Sequence, residues 1–130
     1  MAGFIPKLYT DGAVDPWVHA PAAVGEYHIG MALVQTSGNL TKASGSTKPT
    51  HICMAERKIA SAGDILAAIP VDASTEFEVV LTAAVSGLAA GSTVNISTDG
   101  MSIVAGESGV FRVVSASGAA IGDVAVGRFA

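Results

Sequence analysis

The most constraining feature of this sequence is a series of short runs in which apolar and polar residues alternate. These runs recur about every ten residues and are separated by turn-forming residues. The clearest run is Glu76–Ala83, where Phe77, Val79 and Leu81 are each separated by one residue. Because successive side chains of a strand point to opposite faces, this spacing predicts one buried face. About nine such runs occur, and no stretch has a convincing helical period. The chain is therefore predicted to be all-β, a small single-domain β-barrel or β-sandwich.

The other strands follow from the same signals. They are Glu26–Gln35, Leu40–Ala43, His51–Lys58, Ile65–Val71, two short strands within Thr93–Val104, Gly109–Ser115 and Asp123–Phe129. Gly30 interrupts the first of them and predicts a bulge or the close approach of another backbone. Asp99-Gly100 predicts a type I′ turn, because this pair accepts positive φ angles. The one segment that resembles a helix, "KIASAGDILAAI", has Gly63 at its centre at a cost of ~1 kcal/mol.

Residues 1–25 differ from the rest and are predicted to form an extended arm, with the β domain occupying residues 26–130. The segment "DPWVHAPAAVG" places Trp17 and His19 between Pro16 and Pro21. Proline fixes φ and biases its predecessor toward extended conformations. The sequence leaves two alternatives open, an arm that lies along its own domain and an arm that reaches a neighbouring subunit.

The composition indicates that much of the surface meets other protein. Hydrophobic residues make up 50% of the chain and charged residues only 14%, below the roughly 25% of an average soluble protein. Mean hydropathy is +0.52. A spanning helix needs about 20 consecutive apolar residues, and glycines, hydroxyl residues or charges interrupt every run here. We therefore expect protein partners and no membrane.

Charge and cysteine content exclude further classes. The net charge is −4, and the seven lysines and arginines are scattered from Lys7 to Arg128. Nucleic-acid binding needs a basic patch, which these scattered residues do not suggest, so we predict no binding to nucleic acid. The single cysteine excludes an intrachain disulfide. The first residues show no basic segment followed by an apolar run, so we expect a protein that stays where it is made or leaves within an assembly.

No set of residues predicts catalysis, a metal or a cofactor. His51 and Cys53 share a strand face, but zinc sites usually show pairs of ligands at characteristic spacings. Cys53 is therefore predicted to be a small buried hydrophobe. Glu76 and Glu78 point to one outer face of a strand and are predicted to be solvated or to face an interface. The protein is predicted not to be an enzyme.

Several phrases of the sequence resemble one class of protein. They are "DPWVHAPAAVGEYHIGMALVQTSGNLTKA", "KPTHICMAE", "STEFEVVLTA", "GSTVNISTDGM" and "IGDVAVGRF". Together they resemble the capsid decoration or head-stabilising proteins of tailed phages and prophages. The resemblance implies a Gly/Ala/Thr-rich β-fold with an extended arm and no active site. It also implies a trimer on the outer shell of the virion, bound to the major capsid protein after synthesis in the bacterial cytoplasm.

Candidate interface residues follow from this interpretation. Trp17 is the natural anchor, because tryptophan is enriched among residues that dominate binding energy. The residues predicted to contact capsid or sister subunits are Pro16, Trp17, His19, Pro21, Arg112 and Arg128. A phage-borne module that binds a host surface or carbohydrate is the alternative function.

Overall fold

The protein is all-β in a computed structural model that describes residues 3–9, 17–106 and 109–129. The predicted fold class is confirmed, since the described residues form thirteen strands and fit a small single β domain. None of these residues belongs to a helix long and apolar enough to cross a membrane. The strands are β1 (Ile5–Tyr9), β2 (Val18–Pro21), β3 (Gly25–Tyr27), β4 (Ala32–Thr36), β5 (Asn39–Lys42), β6 (His51–Cys53), β7 (Arg57–Ile59), β8 (Ile65–Pro70), β9 (Thr75–Val80), β10 (Thr93–Ile96), β11 (Ile103–Val104), β12 (Phe111–Ala116) and β13 (Val124–Phe129).

The largest sheet has six antiparallel strands in the order β1-β9-β13-β12-β10-β11. Its inner face carries the main core, in which all four phenylalanines are fully buried. Phe129 lies at the centre of this cluster, with ring centroids 5.0 Å from Phe4, 5.1 Å from Phe111 and 5.3 Å from Phe77. The predicted burial of Phe77, Val79 and Leu81 is confirmed.

A second sheet has five strands in the order β2-β8-β6-β4-β5, and each of its faces packs against a core over part of its area. Its edges meet where Ala22 forms a bridge to Leu40 and the Ala23 amide donates to the Leu40 carbonyl at 2.9 Å. One face, which includes Ile52 and Ile69, packs into the phenylalanine core. The other face encloses a second core that includes Cys53. The sheet is therefore curled around one core and stacked on another.

A two-stranded ribbon of β3 and β7 closes the second core. Tyr27 and Ile59 contribute the buried side chains of the ribbon. The Tyr27 hydroxyl donates to the Ala23 carbonyl at 2.8 Å, which satisfies the one polar group that this ring carries inward. The ribbon is thereby attached to the chain that joins β2 to β3.

Two of the predicted strands each turn out to be two strands in different sheets. The predicted strand Glu26–Gln35 contains β3 and β4, and His51–Lys58 contains β6 and β7. Both halves of each segment contain buried side chains, but β4 and β6 belong to the five-stranded sheet and β3 and β7 to the ribbon. The half in the five-stranded sheet buries adjacent residues, Ala32 and Leu33 in β4 and Ile52 and Cys53 in β6, and the half in the ribbon buries one. The apolar residues therefore continue through each corner, and the pattern does not reveal the bend.

Gly30 forms the first corner, and the predicted close approach of backbones is confirmed. Gly30 has φ of +90°, and a Cβ on it would lie 2.9 Å from the Gly3 Cα. The Phe4 amide donates to the Gly30 carbonyl at 2.7 Å, and the Gly30 amide donates to the Cys53 carbonyl at 2.8 Å. This corner therefore joins the start of β1 to the end of β6.

The hairpin around Asp99 is present, but the predicted type I′ turn is wrong. β10 and β11 pair through Ile96 and Ile103, so residues 97–102 form a longer loop. Only Gly100 of the pair has positive φ, at +73°. The Asp99 carboxylate instead accepts hydrogen bonds from the Met101 amide at 3.0 Å and the Ser97 hydroxyl at 2.5 Å. The carboxylate thus organises the loop as an Asx-type turn.

The described parts of residues 1–25 pair with the chain's own sheets. β1 lies along β9, and β2 lies along β8. Residues 10–16 lie outside the described residues, and the division into an arm and a domain at residue 25 stays a prediction.

Candidate functional site

Three of the predicted interface residues lie on one outward face. Trp17 is 58% exposed just before β2, where His19 is exposed and Pro21 is half-buried. Val18 and Ala20 alternate with them and pack against the second core. Because residues directly paired across a sheet share a face, β8 places more side chains beside the three.

Those β8 side chains are Ile65 and Ala67. Pro21 is paired with Ile65, which is 45% exposed, and His19 is paired with Ala67. We call this surface the Trp17 face and define it by Trp17, His19, Pro21, Ile65 and Ala67.

The Trp17 face continues a face that is buried elsewhere in the same sheet. Along β8, Ile65, Ala67 and Ile69 point the same way, and Ile69 is in the phenylalanine core. Ile52 and Ala32 extend that buried part across β6 and β4. The five-stranded sheet therefore projects past the six-stranded sheet and leaves an apolar ledge uncovered.

Trp17 is unusual among the aromatic residues. The four phenylalanines are fully buried and Tyr27 is 4% exposed, so Trp17 is the exposed aromatic side chain of those that the structure describes. Other large exposed apolar side chains are Val24, Val114 and Ile121. The predicted interface residue Pro16 falls outside the described residues.

The two predicted arginines lie together on the other sheet. Arg112 on β12 is paired directly with Arg128 on β13, on the outward face of the six-stranded sheet. Arg128 Nη2 donates to Glu76 Oε2 at 2.9 Å. Arg112 is exposed, and no described residue forms an ion pair or hydrogen bond with its guanidinium. We call Glu76, Arg128 and Arg112 the arginine row.

The structure therefore divides the predicted site between two sheets. Sequence reasoning placed Glu76 on an outer strand face but did not pair it with Arg128, which follows 52 residues later. The alternation of each strand predicts which side chains point outward. Their pairing depends on β9 and β13 being neighbours, for which the local pattern holds no signal.

The structure contains a charged cleft on the β3–β7 ribbon that was not predicted from the sequence. It has a volume of about 260 Å³ and is lined by Glu26, Tyr27, His28, Glu56, Arg57 and Lys58. His28 Nδ1 lies 2.9 Å from Glu56 Oε1, and the Ile29 amide donates to the other oxygen of this carboxylate. Hydrogen bonds from His28 and Ile29 hold the pKa of Glu56 below its usual range. Among the described residues that line the cleft there is no serine, threonine or cysteine.

His51 and Cys53 have separate hydrogen-bond partners. His51 Nδ1 lies 2.9 Å from the Thr50 hydroxyl, and the Cys53 thiol donates to the Ala55 carbonyl at 3.1 Å. Burial lowers the pKa of His51 and raises the pKa of Cys53. Cys53 is fully buried, as predicted.

The Cys53 thiol is expected to be unreactive in the native protein. Its raised pKa leaves little thiolate at neutral pH, and burial blocks access. A thiol reagent such as dithiobisnitrobenzoate should modify it at least about a hundredfold more slowly than in the denatured chain. A control variant with Cys53→Ser and Ser46→Cys, which moves the thiol to an exposed loop position, should react at once. Equal rates in native wild type and control would contradict the burial.

Comparisons with models of protein families, with curated proteins and with solved structures found no match to this chain.

Proposed function

We propose that this protein is a non-enzymatic structural protein of a phage virion, which binds the outer surface of the capsid and stabilises or decorates it. Its partner is the major capsid protein, and it acts on the capsid surface after synthesis in the host cytoplasm. The observation that carries the proposal is the Trp17 face, an apolar ledge with a 58% exposed tryptophan. The resemblance of the sequence to head-stabilising proteins supplies the identity of the partner.

The physical support comes from how Trp17 is displayed. Large aromatic side chains gain the most from burial, and monomeric proteins rarely expose them beside further apolar surface. Trp17 and Ile65 lie at opposite ends of one face of a sheet whose neighbouring part is packed, so the ledge is held in place before any partner arrives. A preorganised anchor loses little conformational entropy on binding.

Low charge and repetition of contacts support the same function. Interface cores are depleted of charged residues, and charged residues make up only 14% of this chain. We propose a homo-oligomer, with a trimer favoured, in which each subunit presents a Trp17 face to the shell. Several weak contacts made at once then hold the assembly more tightly than one contact would. Sedimentation equilibrium should give a mass three times that of the chain.

The proposal is tested by co-sedimentation with empty heads assembled from the major capsid protein of the same genome. Wild type should bind saturably, and Trp17→Ala should raise the dissociation constant about thirtyfold or more, the effect of losing an anchor worth about 2 kcal/mol. Ile121→Ala is the matched control, since Ile121 is 72% exposed but lies in the loop between β12 and β13. Failure of wild type to bind heads, or equal losses in both variants, would contradict the proposal.

The same exposed indole favours one alternative, a module that binds carbohydrate on a host surface. Aromatic side chains stack on sugar rings, and Trp17 is open to such a ligand. Saturable binding on a glycan array, lost in Trp17→Ala while binding to heads is absent, would favour that alternative.

A further inference from the structure

The arginine row places two like charges side by side. Arg112 and Arg128 are directly opposite on neighbouring antiparallel strands, where their side chains share the outward face. Like charges in this position destabilise a sheet. The row therefore has an electrostatic cost in the isolated chain, which a negative group beside both guanidinium groups would relieve.

Only one of the two arginines has such a group. Glu76, whose side chain is 15% exposed, binds Arg128 at 2.9 Å. Arg112 is exposed and has no partner among the described residues. Its planar guanidinium is suited to hold a carboxylate through two parallel hydrogen bonds.

The surroundings of Arg112 suit a protein ligand. Thr93, which is exposed on β10, is paired with Arg112, and Val114 is 46% exposed two residues further along β12. A hydroxyl and an apolar side chain thus flank the guanidinium. A small inorganic anion could use the hydroxyl but not the apolar side chain, whereas a peptide segment with acidic and apolar side chains would contact both.

This chain is a poor source of that carboxylate. Most of its described carboxylates already have partners within the chain. Glu56, Asp72, Asp99 and Asp123 accept hydrogen bonds within their own loops or corners, Glu76 binds Arg128, and Glu78 also has a partner. Recruiting one of these six in a second copy would break an existing contact. The other two described carboxylates are placed less well, since Glu26 lies opposite Lys58 in the β3–β7 ribbon and Asp64 is half-buried, so charge complementarity favours a different protein.

We propose that the arginine row is a docking surface for an acidic segment of another protein, with Arg112 binding a carboxylate of that segment. That this protein is the capsid protein rests on the proposed function. The row lies on a different sheet from the Trp17 face, so the chain has two separate binding surfaces of different chemistry.

The direct test uses a capped oligoglutamate peptide as the probe and ¹⁵N-labelled full-length protein. Saturable shifts are expected at Arg112, Arg128 and Thr93, and they should weaken as salt is added. Arg112→Gln should raise the dissociation constant at least about tenfold. Arg112→Lys keeps the charge but loses the planar fork, so its dissociation constant should lie between those of wild type and Arg112→Gln. Lys48→Gln is the matched control, because it removes an exposed cation from the loop between β5 and β6.

Three outcomes would overturn the inference. The first is a set of peptide shifts spread evenly over the exposed lysines and arginines. The second is unchanged peptide binding in Arg112→Gln. The third is a smaller mass for Arg112→Gln than for wild type in sedimentation, which would show that the arginine row contacts a second copy of this chain.

Co-sedimentation with heads separates this inference from the proposed function. If wild type binds the peptide at the arginine row but not the heads, the proposed function fails and the inference stands. If wild type binds heads and Arg112→Gln binds them equally well, with no peptide binding, the inference fails and the proposed function stands.

Discussion

Replacing Phe129 by alanine is expected to lower the free energy of unfolding by about 3–5 kcal/mol, the range typical of a buried phenylalanine. Phe129 is fully buried, and its ring lies 5.0–5.3 Å from three other phenylalanine rings. Its removal leaves a cavity where the inner face of the six-stranded sheet meets Phe4. Because small domains are stable by only about 5–15 kcal/mol, the variant will be close to unfolding.

Guanidinium denaturation monitored by circular dichroism measures this effect. Phe129→Leu is the second variant, because it retains most of the volume and should remain folded if alanine does not. Val114→Ala is the matched surface control and should change the free energy by less than about 0.5 kcal/mol. A loss of under 1 kcal/mol in Phe129→Ala would contradict the central place of this ring.

Replacing Gly30 by alanine is expected to cost about 2–4 kcal/mol from two sources. The φ of +90° disfavours any residue with a Cβ, and the new Cβ would lie 2.9 Å from the Gly3 Cα. The neighbour is backbone, so it cannot rotate away. Relief requires the start of β1 to separate from this corner.

Gly63 provides a matched control for the conformational part of that cost. Its φ is +97°, nearly the same, but a Cβ added there would meet nothing within 4 Å. Gly63→Ala should therefore cost only about 1–2 kcal/mol. Thermal and chemical denaturation of both variants give the difference, and equal costs would show that the contact with Gly3 does not constrain the corner.

The fold class was predictable because alternation is local. In β9 the burial of Phe77 and Val79 follows from their spacing alone, and the prediction is confirmed. The corner at Gly30 was predictable only as a close approach. That it divides one predicted strand between two sheets depends on a second core, which no local period reveals.

The candidate site was predictable where it depends on alternation along one strand, but not where it depends on the pairing of distant strands. Trp17 and His19 alternate along one segment, so a shared face could be expected from their spacing. The addition of Ile65 depends on the pairing of β2 with β8, and the contact of Arg128 with Glu76 depends on the order of the six-stranded sheet. Both are non-local pairings, and local sequence patterns carry little information about register between distant strands.

The measurement that tests the central claim most directly observes Trp17 itself during binding. The chain has one tryptophan, so oxidation of its indole by hydroxyl radicals, located by mass spectrometry of this protein's own peptides, reports on this residue alone. In the free protein Trp17 should be oxidised readily, because it is 58% exposed. Empty heads should protect it in proportion to the fraction of protein bound, while Ile121 keeps its rate of oxidation. An unchanged rate of Trp17 oxidation while the protein co-sediments with the heads would contradict the account, because Trp17 would then be no part of the contact.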